Sequence, residues 1–268
     1  MIPDIDQVAA RIRAAAAEHI LPFFEKLEAG QIEEKGPGDL VTIADLRTEQ
    51  ALTPVLTALV PGSAVVGEEA TAKDKAVLDR LNGQGDVWLI DPVDGTANFA
   101  AGLPLFACMV AFVRDGQVLA SWIYDPVKEI MATAEAGGGA WSNGKRISVA
   151  LPASPEHMSG SLTLRFGNRQ LVRKIAGRSN LVGSVFSFRC AGQEYLALST
   201  GRTHFALYHR LMPWDHAPGY LLHREAGGFG QRLDRSSYTP RIHDGGLLLT
   251  PDEESWNALH AVLIGKPN

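Results

Sequence analysis

Trp88-Leu89-Ile90-Asp91-Pro92-Val93-Asp94-Gly95-Thr96-Ala97-Asn98-Phe99 sets two aspartates three positions apart at the end of an apolar run. Residues 86–90 read as a short buried strand. Pro92 has no N–H to pair, so Asp91 and Asp94 are expected to project together from the strand's end. Gly95 lets the backbone come close to a ligand, and the Thr96 hydroxyl can orient a water or take a phosphate contact. Such a turn suits hard metal ions and a phosphate. An Asx-type turn, in which the acids only satisfy local amides, would use the same residues.

Two more acidic tips bear on that choice. In Val65-Val66-Gly67-Glu68-Glu69 a β-branched run ends at a glycine and two glutamates, again a strand carrying carboxylates to its tip. Pro213-Trp214-Asp215-His216 opens a helical stretch that closes at Gly227-Gly228. Taken singly, Asp215 reads as an N-cap and the glutamates as a solvated pair. Trp88 and Trp214 read as packing residues behind the tips.

Gly-Glu-Glu, Asp-Pro-Val-Asp-Gly-Thr and Trp-Asp in this order resemble the inositol monophosphatase family of metal-dependent phosphatases. The resemblance spans nearly the whole chain, because Asp39-Leu40-Val41-Thr42-Ile43-Ala44-Asp45 matches the family's N-terminal segment and Gly137 to Gly144 its glycine-rich hairpin. It implies an α/β (mixed α+β) fold, a layered αβαβα sandwich of the sugar-phosphatase type. It also implies a homodimer, and Glu68, Asp91, the Val93 carbonyl, Asp94 and Asp215 as ligands of two or three Mg2+ ions. By the same resemblance Asp45, Glu68 and Thr96 are catalytic, with Thr96 and Asp45 activating the attacking water. Asp94, Gly95 and Thr96 would hold the substrate. Asp45 has a second reading, since Thr42-Ile43-Ala44-Asp45 is also a capping box.

The expected chemistry is hydrolysis of a phosphomonoester by water attack, with inositol monophosphate the default substrate. Fructose 1,6-bisphosphate, histidinol phosphate and 3'-phosphoadenosine 5'-phosphate are alternatives within that chemistry. A regulatory binding role in the transcription machinery is the alternative of another class. The chain departs from the inositol pattern after Arg189, where Gln193-Glu194-Tyr195 stands in place of a small hydroxyl residue and alanines, and at Tyr208-His209-Arg210. Gln193, Glu194 and Arg210 are therefore candidate substrate contacts. Arg210 would favour a second anionic group, with Arg165 in support. His209 reads as structural, and His216 as a partner orienting Asp215 or as a solvated group.

Composition bounds the rest. A net charge of −5 gives no basic footprint, so direct nucleic-acid binding is not expected. The longest apolar run, Leu103 to Val113, is too short to cross a bilayer, and Met1 to Asp6 has no signal-peptide pattern. With two cysteines, Cys108 and Cys190, placed far apart in apolar surroundings, neither a disulfide nor a zinc site is expected, and the chain reads as cytoplasmic.

Along the chain, Ile5 to Leu27 reads as a helix, and Pro54 should kink or split the helix that Asp45 opens. Leu105–Val113 and Val118–Tyr124 read as a hairpin turned by Asp115-Gly116, followed by a strand at Glu129–Ala134 and an Asn143-Gly144 turn. From residue 161 onward strands alternate with helices. This divides the chain into an N-terminal α+β lobe, residues 1–146, holding most of the acids, and a C-terminal α/β lobe, residues 147–268, holding Asp215. Their acidic tips would meet between them.

Overall fold

The computed structural model describes residues 2–36 and 38–265. Helix α1 (Ile5–His19) starts where the Asp4 carboxylate accepts the Gln7 N–H at 2.7 Å, and it buries Val8, Ile12 and Ala16, a stripe at helical spacing. It stops earlier than the apolar pattern suggests. Pro22 disfavours α geometry in the residue before it, and a 3-10 turn at Leu21–Phe23 takes over. A small hairpin, β1 (Ile32–Gly36) and β2 (Asp39–Thr42), leads into α2 (Ile43–Leu59). The capping box is real: Asp45 Oδ2 accepts the Thr42 N–H at 2.8 Å, and Thr42 Oγ1 accepts the Ala44 N–H at 3.2 Å. Pro54 does not split α2, contrary to expectation. The Thr53 and Thr57 hydroxyls bond back to the Glu49 and Thr53 carbonyls, adding contacts around the proline's missing donor.

The next elements form a seven-stranded sheet. β3 (Ala64–Gly67) runs into the short α3 (Glu68–Lys73), and β4 (Asp86–Asp94) into the short α4 (Thr96–Ala100). Then come β5 (Ala107–Arg114), β6 (Gln117–Asp125), β7 (Ile130–Glu135), β8 (Gly139–Ser142) and β9 (Lys145–Arg146). The strands lie in chain order; β3 and β4 are parallel and the rest antiparallel. Asp115-Gly116 and Asn143-Gly144 turn their hairpins with both residues of each pair at positive φ, as the sequence reading requires.

A five-stranded sheet follows, interleaved with helices: β10 (Ser159–Leu162), α5 (Arg169–Ala176), β11 (Ser184–Phe186), α6 (Ala191–Ser199), β12 (Phe205–Tyr208), α7 (Pro213–Glu225), β13 (Phe229–Arg232), β14 (Leu247–Thr250) and α8 (Glu253–Leu263). Its strand order is β11-β10-β12-β14-β13, with β10 parallel to both neighbours and β14 antiparallel to both of its own.

Alternation along β4 explains the layering. Trp88 and Ile90 face one side and pack with Ile12, Ala16, Leu52 and Leu56 of α1 and α2. Val87 and Leu89 face the other side, against Trp214 and Ala217 of α7. Helices α6 and α7 fill the space between the two sheets, where Tyr195, Leu221 and Leu222 meet Met109, Ile123, Ala206 and Leu249. On the outer face of the second sheet Trp256, Leu259 and Leu263 of α8 cover Leu207 and Leu248. The result is the αβαβα order implied by the resemblance. Among the described residues, no helix is long and apolar enough to cross a membrane.

The two middle helices come closest at Gly219. A Cβ there would enter the ring of Tyr195, which is fully buried, with its hydroxyl 3.2 Å from His216 Nδ1. Gly219→Ala should therefore destabilise the protein by about 1–3 kcal/mol through overpacking, lowering the melting temperature by a few °C. An unchanged melting temperature in calorimetry would show that Tyr195 can move aside.

Candidate active site

Three strand or loop ends deliver the acids to one place. β4 ends in a local irregularity of its pairing with β5 between Asp91 and Asp94, where Pro92 removes a donor. Gly95 follows at φ +87°, and a side chain there would run into the Leu105 carbonyl and Cys190 Cβ. Only glycine lets the chain turn this tightly between β4 and α4. β3 delivers Glu68 and Glu69 in the first turn of α3, and Asp215 lies in the first turn of α7. Glu68, Asp91, Val93, Asp94, Gly95, Thr96, Glu194, Arg210 and Asp215 all line a single cavity of about 430 Å³.

The electrostatics of this cavity are unfavourable for ionised acids. Asp91 is 1 % exposed, and its Oδ1 has no hydrogen-bond partner. Burial, then the charges of Glu68, Asp94 and Asp215, hold its carboxyl well above the usual carboxylate range. Burial, then the charges of Asp94 and Glu68, push Asp215 up to about 8, with Arg210 opposing the shift. Asp94 rises only to about 6: burial lifts it, but its Oδ2 accepts the Gly192 N–H at 2.5 Å and the Cys190 thiol at 3.1 Å. Cys190 is thus a polar partner of Asp94 rather than a residue in purely apolar surroundings; Cys108 is fully buried in the sheet core.

Asp45 lies behind Thr96. The Thr96 Oγ1 is 3.1 Å from Asp45 Oδ1 and 3.0 Å from the Val93 carbonyl. Asp45 is fully buried, which raises its carboxyl to about 7, the bonds from Thr42 and Thr96 opposing the shift. Its capping role uses Oδ2 and its contact with Thr96 uses Oδ1, so the capping box leaves the oxygen that faces Thr96 unoccupied by the cap.

Several residues at the site carry no signal in the sequence. Glu49, on α2, accepts the Glu69 and Ala70 N–H groups at 2.8 Å each and so fixes the start of α3. Its carboxylate fills the space beside Gly67 that any side chain would need. Lys35, on β1, places its ammonium 2.7 Å from Glu68 and 3.0 Å from Glu69. Burial opposes the lysine's charge, yet the two glutamates hold it above its usual range. Burial and Glu68 lift Glu69 to about 8.

Among the described residues no three histidine, cysteine, aspartate or glutamate side chains stand close enough to grip an ion as they are, and Glu68 is drawn instead to Lys35. The donor set is nevertheless all oxygen, with one carboxylate oxygen buried and unpartnered, which is the chemistry of a hard divalent cation.

The substrate side differs from expectation at one residue. Gln193 does not reach the cavity; its amide donates to the Phe106 carbonyl at 2.9 Å and to Asp125 at 2.8 Å, and it is buried against the first sheet. The reason is helical phase. α6 begins at Ala191, capped by Cys190, so Gln193 and Glu194 point about 100° apart and only Glu194 faces the cavity. Glu194 accepts the Phe188 N–H at 2.9 Å, and burial lifts it to about 7. His216 pairs with Tyr195 rather than with Asp215, and burial lowers it to about 3. His209 is buried with Nε2 unpartnered. Trp88 and Trp214 pack on opposite faces of β4.

Comparison with known proteins agrees with this layout. The profile of the inositol monophosphatase family matches residues 3–265. The inositol-1-monophosphatase of Mesorhizobium japonicum is 34 % identical over 79 % of each chain. A Pseudomonas aeruginosa protein named Nus factor SuhB is 33 % identical over 82 % of each. The crystal structure of the extragenic suppressor protein suhB from Bartonella henselae, 25 % identical, superimposes with a TM-score of 0.83 over 97 % of this chain and 98 % of that one. With a phosphatase-type match along its whole length and the acids gathered at one cavity, the chain belongs to the inositol monophosphatase family and is a phosphoric monoester hydrolase.

Proposed function

We propose that this protein is a magnesium-dependent phosphomonoesterase that cleaves a small polyol or sugar phosphate by direct attack of water on phosphorus, with inositol monophosphate as the reference substrate. The observation that carries the reading is the convergence of Glu68, Asp91, Asp94 and Asp215 on one cavity with an unpartnered, buried Asp91 oxygen. Magnesium ions held by these four carboxylates and the Val93 carbonyl would supply the positive charge that draws electrons from the phosphate and acidifies a bound water.

The chain's own groups do the rest. The N–H groups of Gly95 and Thr96, before the first turn of α4 closes, have no intrahelical acceptor and are free to donate to phosphate oxygens. Thr96 Oγ1 accepts a proton from the attacking water while passing its own to Asp45. An acid poised at about 7 is well matched to take that proton near neutral pH. Glu194, which also lines the cavity, offers a carboxyl to substrate hydroxyls. A cavity of about 430 Å³ suits a substrate of sugar-phosphate size. The protein would act as a cytoplasmic homodimer. A role in the transcription machinery has support from the name Nus factor carried by two relatives, but the intact acid set favours hydrolysis.

Asp91→Asn should keep the fold and lower kcat at least about a thousandfold, because a neutral amide of the same shape is a poor ligand for magnesium. Phosphate release from inositol 1-phosphate, with and without magnesium, measures this; turnover near the parent rate would remove Asp91 from the site.

The raised acids also set a pH dependence. Asp45, Glu69 and Asp215 bind protons more tightly folded than unfolded, so the stability they contribute is present at low pH and lost as pH rises through about 7 to 8. The buried histidines work the other way near pH 6.5, where their unfolded forms are half protonated, but above about pH 7.5 unfolded histidines are mostly neutral and mask little of the effect. The metal-free protein should therefore melt a few °C lower at pH 8.5 than at pH 7.5, and added magnesium should raise the melting temperature most at pH 8.5. A flat profile, or equal stabilisation at both ends, would contradict the placement of these carboxyls.

A further inference from the structure

The cavity is electrically divided. Its acids belong to β3, β4 and α7, while its cations, Arg165, Arg189 and Arg210, sit at the exposed mouth. Among the described residues none of these three arginines forms an ion pair, although a cavity full of carboxylates is next to them.

Two of the arginines share one aromatic ring. The Arg210 guanidinium carbon lies 4.1 Å from the centroid of Phe166 and that of Arg165 lies 4.8 Å from it. Each contact is favourable alone, but crowding two cations onto one ring brings like charges together. Phe166 is itself unusual: it is 56 % exposed and has φ +64°, a left-handed conformation disfavoured for a bulky residue. A strained, exposed aromatic that holds two unpaired guanidiniums at the opening of a cavity is expected where a ligand repays the arrangement. Arg165 and Phe166 come from the segment after β10 and Arg210 from the segment after β12, two neighbouring parallel strands, so the sheet fixes their spacing.

We infer that Arg165, Phe166 and Arg210 form an anion clamp at the cavity mouth that selects phosphate esters bearing a second negatively charged group. The fork of each guanidinium matches two oxygens of a phosphate or carboxylate, and Phe166 holds both forks in place. The clamp rests on the phosphatase reading: one phosphate occupies the acid end while the second anion reaches the arginines. It also accounts for Arg210 standing close enough to Asp215 to influence it without pairing to it.

The test compares KM for fructose 1-phosphate, fructose 1,6-bisphosphate and 2-phosphoglycolate in the magnesium-loaded protein. The clamp predicts a KM for the bisphosphate about tenfold or more below that for the monophosphate, since charge-assisted bonds from two arginines are gained. 2-Phosphoglycolate shows whether a carboxylate serves in place of the second phosphate. In Arg165→Gln and Arg210→Gln the ratio of the two KM values should fall toward one, and Arg165→Lys should recover part of it. Equal KM values in the parent protein, or a preference that survives the double Gln variant, would overturn the clamp. If no ester is hydrolysed, the phosphatase reading fails separately. Calorimetric titration with fructose 1,6-bisphosphate and fructose 1-phosphate then decides the clamp: tighter binding of the bisphosphate that is lost in the Gln variants keeps it, and equal binding ends it.

Discussion

Four carboxylates meeting in one largely buried cavity repel one another, and the surrounding structure is organised around that repulsion. Acids so placed would ordinarily scatter into solvent. Here each is tied down by something that cannot move: Asp91 by β4, Asp94 by the Gly192 amide and the Cys190 thiol, Asp215 by the first turn of α7, and Glu68 by the start of α3. Glu49 completes the arrangement by capping α3 from behind, a buried carboxylate used to hold two others in position. Lys35 offsets part of the charge on the Glu68 side.

That constraint links fold to chemistry. The two sheets and the α6–α7 layer between them bring strand ends from distant parts of the chain to one opening, and the layer is most closely packed where Gly219 lies against Tyr195. The acids gather at the inner end of the cavity and the arginines at its rim, so a phosphate ester would meet opposite charge patterns along its length. Catalysis by positioned charge requires this kind of preorganised, partly desolvated setting.

Much of this was legible in the sequence where local chemistry decides the structure. Pro92 and Gly95 announce the turn that carries Asp91 and Asp94, Asp115-Gly116 announces its hairpin, and Thr42 with Asp45 announces a helix start. Legibility ended where the answer depends on contacts distant in the chain. Glu49 and Lys35 look like ordinary surface charges until α2 and β1 are placed against α3. Gln193 looks like a substrate contact in the sequence, but a helix start two residues earlier turns it away from the cavity toward Asp125. Phe166 gives no sign in the sequence that its backbone is left-handed or that two arginines share its ring.

Burial, and then their mutual repulsion, hold these acids partly protonated, and a divalent cation bound among them would displace those protons. Calorimetric titration of the metal-free protein with magnesium, in buffers of different ionisation enthalpy, counts the protons directly. Roughly one proton or more per chain should be released at pH 7 and clearly fewer at pH 9, where the carboxyls are already ionised. Magnesium binding with no proton release at either pH would contradict it.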